Sequence, residues 1–559
     1  MLKNTLVTIP KNTKEKPQNG NIYIYHVTES IYHPDKRYNT EKRTCIGKKY
    51  DKTKMYPNDN YFKYYDYPEE YIVEAPEFSD CIKIGAMMLF DTQLTKLGIS
   101  NLLELIIPEN NTIFKDLIYY YTFGNNTITQ HYKYFIREYY SYCDKIYSDS
   151  QISRILNTLT DDNISSFLNS WNELKQDKNE ILVDFDGTNM NSSISESSLA
   201  EYGKPKDDEG LPQINLSYAI DHNDGMPLFY ELYPGSITDM SQTKIMIDKA
   251  KNYGYSDKKI TFVLDRGMFS KNNLDYLEEN GFKYIIMAKT SLEVIHNSII
   301  ANMNKIRNKY KYFISSHNLY GITLERDVFN DKKVKYLHIY YDDDKASIER
   351  KLLASNLAYY EECLKKELSE KKQKISDLKP YKKYFTFEEN DEGYIEKYEV
   401  NNQTIQEEMD FCGFFAIVTK DRLDTEYTID EYRKRDIVEK TFRDIKSYIK
   451  MNKFRVHSDT KIKVKTFLTF ITSIIKSSIS NKLKKYLREN SSETLVTVFK
   501  EISKIEVTKI NDVYVRKYAL TGKQKKILTE LDLSEDSLIS YIDLLNKGQI
   551  GRAHVWTPV

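Results

Sequence analysis

Cysteine, tryptophan, glycine and proline are all scarce in this chain of 559 residues, which has 5 Cys, 2 Trp, 19 Gly and 13 Pro. Cys45, Cys81, Cys143, Cys363 and Cys412 are odd in number and form no C-x-x-C pair, which argues against a disulfide framework and for a reducing compartment. The nine histidines show no zinc spacing. No apolar run reaches the ~18 residues that a membrane span needs, the nearest being Phe467–Ile475, bracketed by lysines. The start lacks a signal-peptide pattern. Net charge is also missing, with 82 Lys and Arg against 82 Asp and Glu. That balance would disfavour a polyanionic partner if it were uniform, and it is not. From Lys440 to Lys526 there are 22 basic residues against 7 acidic, and from 1 to 63 there are 13 against 6. The middle carries the acid, so both ends are suited to a polyanion.

What the chain has in abundance is tyrosine (47 residues) together with Lys, Asn and Ile, as an AT-rich genome would encode. The most informative stretch is Tyr432, Arg435, Glu439 and Lys446, spaced three, four and seven residues apart. A helix turning about 100° per residue puts all four within roughly 60° of one face. Thr428 and Glu431 form a capping-box pattern before it, and Val438, Phe442, Ile445 and Ile449 supply a neighbouring apolar stripe. A carboxylate flanked by cations on an exposed helix face suits metal binding beside phosphate. Two more acids follow β-branched apolar runs and precede glycine: Asp186 in Ile-Leu-Val-Asp-Phe-Asp-Gly-Thr-Asn (181–189) and Asp265 in Ile-Thr-Phe-Val-Leu-Asp-Arg-Gly (260–267). Each pattern predicts a strand that ends at the acid and turns at the rim of a sheet.

With these residues in view the chain resembles a bacterial insertion-sequence transposase of the DDE class, from the branch whose acidic helix reads Y-x2-R-x3-E-x6-K. All four positions of that pattern are matched, and Asp-Gly-Thr (186–188) and Leu-Asp-Arg-Gly-Met-Phe-Ser-Lys-Asn-Asn (264–273) are similar to the two aspartate regions. The resemblance covers about 180 to 470 well. It implies Asp186, Asp265 and Glu439 as catalytic ligands for two Mg2+ ions, with Mn2+ able to substitute. Three carboxylates and two divalent ions suit in-line cleavage of a phosphodiester, because the ions activate water and neutralise charge at phosphorus. It further implies that Tyr432, Arg435, Lys446 and Arg266 meet DNA. The partners implied are double-stranded DNA, both terminal repeats and target, and a second copy of the chain; the location implied is bacterial cytoplasm. The function implied is cleavage at the element's ends followed by transfer of the 3′-hydroxyls into target DNA. An inactive end-binding relative is the alternative.

Asp184, two residues before Asp186 in a strand, points to the same side of the sheet, so either acid could bind metal. The pair also resembles the first motif of haloacid-dehalogenase-type phosphatases, in which Asp184 would be nucleophile and Asp186 general acid. No later acidic metal motif supports that rival, and it leaves the 432–446 pattern unused.

The expected fold class is α/β, a ribonuclease-H-like core interrupted by a strand-rich insertion. Residues 1–80 read as a basic region of short strands and turns (Asn21–His26, Thr44–Gly47, Tyr71–Val73) with Lys, Arg and Tyr interleaved, as a nucleic-acid surface requires. Residues 81–178 read as helices (Ile82–Leu97, Ile113–Phe123, Gln151–Leu168) for DNA-end binding or dimer contact. The catalytic core spans 179–289 with 411–452, with strands at 181–186, 213–220, 226–233, 260–265 and 283–288 and helices at 239–253 and 271–279. Residues 290–410 are expected to form an inserted subdomain, since a gap of that length is too long for a loop. A basic helical region, 453–549, follows as DNA clamp or dimer contact. The last ten residues, 550–559, resemble a translated sequencing adapter with UGA read as Trp; they are set aside, and the natural C-terminus is expected to be missing.

Overall fold

The computed structural model of the protein describes residues 6–18, 20–35, 37–65, 79–175, 180–194, 197–203, 210–237, 239–255, 259–370, 381–389, 395–448, 451, 453–456 and 458–549. The expected strand at Tyr71–Val73, Ile449 of the apolar stripe and the tail 550–559 lie outside them. The chain divides into two units, Met1–Ser79 and Asp80–Val559.

The first unit is a five-stranded sheet of β1 (Val7–Thr8), β2 (Thr13–Gln18), β3 (Asn21–His33), β4 (Tyr38–Lys49) and β5 (Lys54–Pro57), ordered β1-β5-β4-β3-β2. Short strands were expected here, yet β3 and β4 run for 13 and 12 residues. One face buries Val7, Ile24, Ile46, Met55 and Tyr61 as its core.

The second unit begins with β6 (Cys81–Lys83) and six helices: α1 (Gly85–Lys96), α2 (Ile99–Ile106), α3 (Asn111–Phe123), α4 (Tyr132–Glu138), α5 (Asp149–Ile155) and α6 (Asp161–Glu173). The helix expected over 151–168 is two, because Thr160 starts a new one with a capping box to Asn163. The core follows as β7 (Glu180–Ser192), β8 (Gln213–Asp221), β9 (Pro227–Pro234), α7 (Asp239–Ala250), β10 (Lys259–Leu264), α8 (Lys271–Glu279) and β11 (Lys283–Met287). Then come α9 (Glu293–Ile306), β12 (Phe313–Ile314), β13 (Leu319–Arg326), β14 (Lys335–Tyr341), α10 (Asp343–Glu370), β15 (Phe385–Glu389), β16 (Ile395–Val400), α11 (Asn402–Phe411) and β17 (Phe414–Thr419). The chain closes with α12 (Thr425–Lys434), α13 (Asp436–Arg443), β18 (Lys453–Phe454), α14 (Asp459–Lys482), α15 (Lys484–Glu489), α16 (Leu495–Ile502), β19 (Glu506–Ile510), β20 (Val513–Arg516), α17 (Gly522–Glu530) and α18 (Glu535–Asn546).

The first five core strands lie in the order β9-β8-β7-β10-β11. β7, β8 and β9 are antiparallel neighbours, while β10 runs parallel to both β7 and β11. This is an α/β arrangement consistent with a ribonuclease-H-like core. Its two acids meet by register: Val263 lies opposite Asp184 and Leu264 opposite Phe185, so Asp265 leaves β10 beside Asp186.

Three expectations change. β7 does not end at Asp186 but runs on to Ser192, because β8 pairs with it from Val183 to Asn191 and satisfies its backbone. Gly187 is there for space and not for a turn: a Cβ would sit 3.0 Å from the Tyr233 hydroxyl and 3.2 Å from Ser217 Oγ. The stretch read as a separate insertion is partly core, since β12, β13 and β14 extend the same sheet and β17 pairs with both β14 and β11. Among the described residues of that stretch, the far end of α10 with the β15–β16 hairpin has its own small core, around Leu364 and Phe385. Finally, the regions divided at 81–178 and 453–549 share one interior. β6 pairs with β19, Phe123 lies 4.6 Å from Phe499, and α14 is sandwiched with Phe467 against Phe167 and Phe470 against Tyr230 of β9. α14 is covered on all sides: Phe467, Leu468, Phe470, Ile471, Ile474 and Ile475 are buried along one side, and Lys465, Thr466, Thr469, Thr472, Ser473 and Lys476 are buried along the other. Among the described residues no helix is long and apolar enough to cross a membrane.

Candidate active site

The helix expected through 432–446 arrives in two pieces with a pivot at Arg435, the C-cap of α12 and N-cap of α13. Its start also differs from the capping-box reading. Asp424 caps α12, its carboxylate accepting from the backbone N–H of Glu426 and Tyr427. Thr428 lies inside the helix, its hydroxyl donating to the Asp424 carbonyl. The apolar stripe holds, with Val438, Phe442 and Ile445 buried. The helix then widens into a π turn, Asp444–Tyr448, which carries Lys446.

Arg435 is where the site comes together. Its guanidinium donates to Asp186 Oδ2 at 2.7 Å and lies 3.7 Å from both Asp265 Oδ1 and Glu439 Oε1. The three acids come from mid-strand β7, the turn after β10 and the first turn of α13. The Arg435 side chain is 8% exposed, against 17% for Asp186, 46% for Asp265 and 64% for Glu439. The acids therefore open to solvent on the side away from the guanidinium. Burial disfavours the arginine charge, but Asp186 first, then Tyr432, Asp265 and Glu439, outweigh it and hold its pKa above the ordinary value. Tyr432 packs against the core around Ile429 and Tyr340, and burial raises its phenol.

Asp186 and Asp265 each hold a backbone N–H with the carboxylate: Asp186 Oδ1 accepts from Gly187 at 2.7 Å and Asp265 Oδ2 from Gly267 at 3.4 Å. Arg266 is exposed in the short 3-10 turn that follows. Beside it a cleft of about 1190 Å3 opens, lined by Asp265, Arg266, Tyr432, Arg433, Lys345 and Lys383 among others. Of the expected site residues, then, Asp186, Asp265, Glu439, Arg435 and Tyr432 form one constellation, Arg266 borders it, and Lys446 sits about two turns further along.

Asp184 is in different surroundings. Fully buried, it accepts from His222 Nδ1 at 2.8 Å, and His222 Nε2 lies 2.9 Å from Glu431 Oε2 on α12. Lys434 Nζ donates to the other Glu431 oxygen at 2.6 Å. Burial pushes the Asp184 carboxyl up. Burial opposes the His222 charge too, but Asp184 and then Glu431 overcome it, so its pKa lies above the ordinary value. A carboxylate sealed in this way has no access to a phosphoryl group, which removes the phosphatase reading of Asp184. His222 was missed in the sequence, and Glu431 was read only as half of a capping box. The available signal was Asp184 itself, an acid inside an apolar strand that needs a buried partner.

Among the described residues no three His, Cys, Asp or Glu side chains are grouped closely enough to hold a metal ion as they stand. The donor chemistry of Asp186, Asp265 and Glu439, hard carboxylate oxygens gathered around one cation, does suit a divalent ion.

A sheet that brings two aspartates side by side, facing a helical glutamate, is the arrangement that the DDE resemblance predicts. Residues 177–475 match the family described as Transposase DDE domain, and the chain belongs to that family. No curated protein matches it. Among solved structures it is similar to a piggyBac transposase in a synaptic complex with hairpin DNA, with 8% identity over 85% of this chain and 78% of that one and a TM-score of 0.33. It is also similar to the Mos1 mariner paired-end complex with Mn, with 15% identity over 29% of this chain and 50% of that one and a TM-score of 0.15.

Proposed function

We propose that the protein is an active DNA transposase that binds the ends of its own insertion sequence, cuts there to free 3′-hydroxyls, and joins them to target DNA as a dimer. The observation that carries this reading is the convergence of Asp186, Asp265 and Glu439 on one guanidinium within a DDE family domain. Asp186, Asp265 and Glu439 would hold divalent ions, Mg2+ or Mn2+. Such ions, when bound, supply Lewis-acid stabilisation at phosphorus and a deprotonated water or hydroxyl.

The chain's own residues do the rest. β7 and β10 fix the first two acids by register, so their separation is set by a parallel ladder and not by a loop. Arg435 balances the acids' mutual repulsion, and in this reading it and Lys446 meet the DNA phosphates, Arg as a fork and Lys as a point charge. Tyr432 closes the buried side of the site and keeps water from the back of the guanidinium. Arg266 at the cleft mouth meets the DNA strand.

The test is strand cleavage of labelled duplexes taken from the DNA flanking the reading frame, in Mg2+, comparing the wild-type chain with Glu439→Gln. Release of a 3′-hydroxyl by the wild type, with binding but no cutting by Glu439→Gln, is the expected result. If both bind and neither cuts, the chain is an end-binding relic and the enzymatic reading fails.

A further inference from the structure

The sheet of the first unit has two distinct surfaces. Its core face carries Ile24, Met55 and the Glu15–Lys49 ion pair. On the opposite face, register aligns Lys16 with Tyr23, Tyr23 with Lys48, and Lys48 with Tyr56, in one row across four strands. Lys14 lies opposite Tyr25 in the next row. Lysine and tyrosine therefore alternate across the sheet, in a segment whose first 63 residues carry 13 basic side chains against 6 acidic.

Beyond that face, β3 and β4 continue alone. β2 reaches only to His26 and β5 only to Gly47, so among the described residues Thr28–His33 and Tyr38–Lys42 form a two-stranded ribbon paired only with itself. The ribbon is about 20 Å long at ~3.3 Å per residue. Of its acids, Glu29 faces Lys42 across the strands, Glu41 lies 2.7 Å from Arg43 and 3.9 Å from Lys14, and Asp35 stands exposed at the tip near Arg37. What it presents outward is polar and aromatic. Tyr32 is 60% exposed, Tyr38 49% and Ile31 50%, beside Asn39 and the tip residue Arg37, whose φ is +51°. Ile31 and Tyr38 share one side of the ribbon and Tyr32 and Asn39 the other, so each side offers an apolar or aromatic group to a partner that encloses the ribbon, as a groove does. A near-neutral ribbon with amide and phenol groups next to a basic face divides labour as duplex recognition does, with phosphates holding and base edges specifying. A two-stranded ribbon also fits a major groove about 12 Å wide.

We propose that this unit binds duplex DNA with the ribbon of Thr28–His33 and Tyr38–Lys42 in the major groove and the Lys–Tyr face along the flanking phosphates. The proposal rests on the DNA-transposing function above and adds to it the element that reads sequence. The experiment uses the full chain on the same flanking duplexes, with dimethyl sulfate footprinting, which reports guanine N7 in the major groove and adenine N3 in the minor. Variants are a shortened ribbon with residues 29–41 replaced by Asn-Gly, the surface pair Tyr32→Ala with Asn39→Ala, and Lys16→Glu with Lys48→Glu. The wild type is expected to protect a patch of guanine N7 atoms that both ribbon variants lose. The lysine variant is expected to keep the patch and lower the slope of log affinity against log salt by about 2. Unchanged N7 protection in both ribbon variants, protection confined to adenine N3, or equal binding to single strands overturns the proposal. If such a chain still cuts the duplex, only this inference falls; if the wild type neither binds nor cuts, the transposase reading falls with it.

Discussion

Two ionic clusters flank the same strand two residues apart, and they are built to opposite specifications. Around Asp186, one cation serves three acids, and two of the acids are about half or more exposed. Around Asp184, a buried imidazole bridges two carboxylates, with Asp184 and His222 fully sealed and the Glu431 side chain 8% exposed. Both join β7 to the α12–α13 segment. The sealed cluster pairs its acids with His222 and Lys434 and ties the strand to the helix. The open one leaves carboxylate oxygens facing water, where they add little to stability and remain available for chemistry.

The largest effect should come from the open side. Asp265→Asn is expected to lower strand cleavage about 10^4-fold, equivalent to about 5 kcal/mol on the barrier. Its thermal midpoint should stay within a couple of degrees of wild type, since surface changes seldom exceed about 0.5 kcal/mol. A large drop in both measurements would show that the open cluster is also structural.

On the sealed side the signs reverse. His222→Ala leaves Asp184 and Glu431 buried without their bridge, and should cost about 4 kcal/mol in urea unfolding. Cleavage per folded molecule should fall far less than for Asp265→Asn. Loss of cleavage with stability intact would move His222 from the scaffold into the reaction.

A second buried imidazole provides the uncharged counterpart. His338 on β14 lies between the hydroxyls of Thr323 and Thr419, with no carboxylate bound to it, and burial brings its pKa down to about 4 from 6.5. Between those values the unfolded chain holds a proton that the folded chain rejects, so stability should fall as pH drops from about 6.5 to about 4. The contribution is about 3 kcal/mol, at roughly 1.36 kcal/mol per pH unit. His338→Gln should flatten the pH dependence of unfolding by about that amount. An unchanged slope would mean that His338 is charged in the folded state.

Much of this contrast was visible in one dimension. Tyr432, Arg435 and Glu439 were legible because helix geometry converts spacing directly into direction, and Asp186 and Asp265 because apolar runs mark strands. The sealed cluster was not, because His222 reaches Asp184 through strand pairing and Glu431 through a helix about 210 residues later, and neither separation leaves a periodic trace. For the same reason β12–β14 looked like an insertion: only pairing with β17 shows that they extend the core sheet. The two helical regions looked separate because α14 is buried along its Thr, Ser and Lys side as well as its apolar side, and a polar side read from sequence is taken to face water.

The smallest effect tests where the sequence reading of the site helix went astray. Thr428 and Glu431 have the spacing of a capping box, but capping needs the first residue outside the helix, and Thr428 is three residues inside it. Asp424 does the capping, and as an acid at a helix N-terminus it also meets the helix dipole favourably. Asp424→Ala should therefore cost about 1 kcal/mol. Glu431→Gln, which under the capping-box reading would be nearly silent, should cost more than Asp424→Ala because it removes one of the two charges on His222. Urea unfolding of the two variants ranks them directly. The opposite ranking would return Glu431 to the helix start and leave the sealed cluster without its second acid.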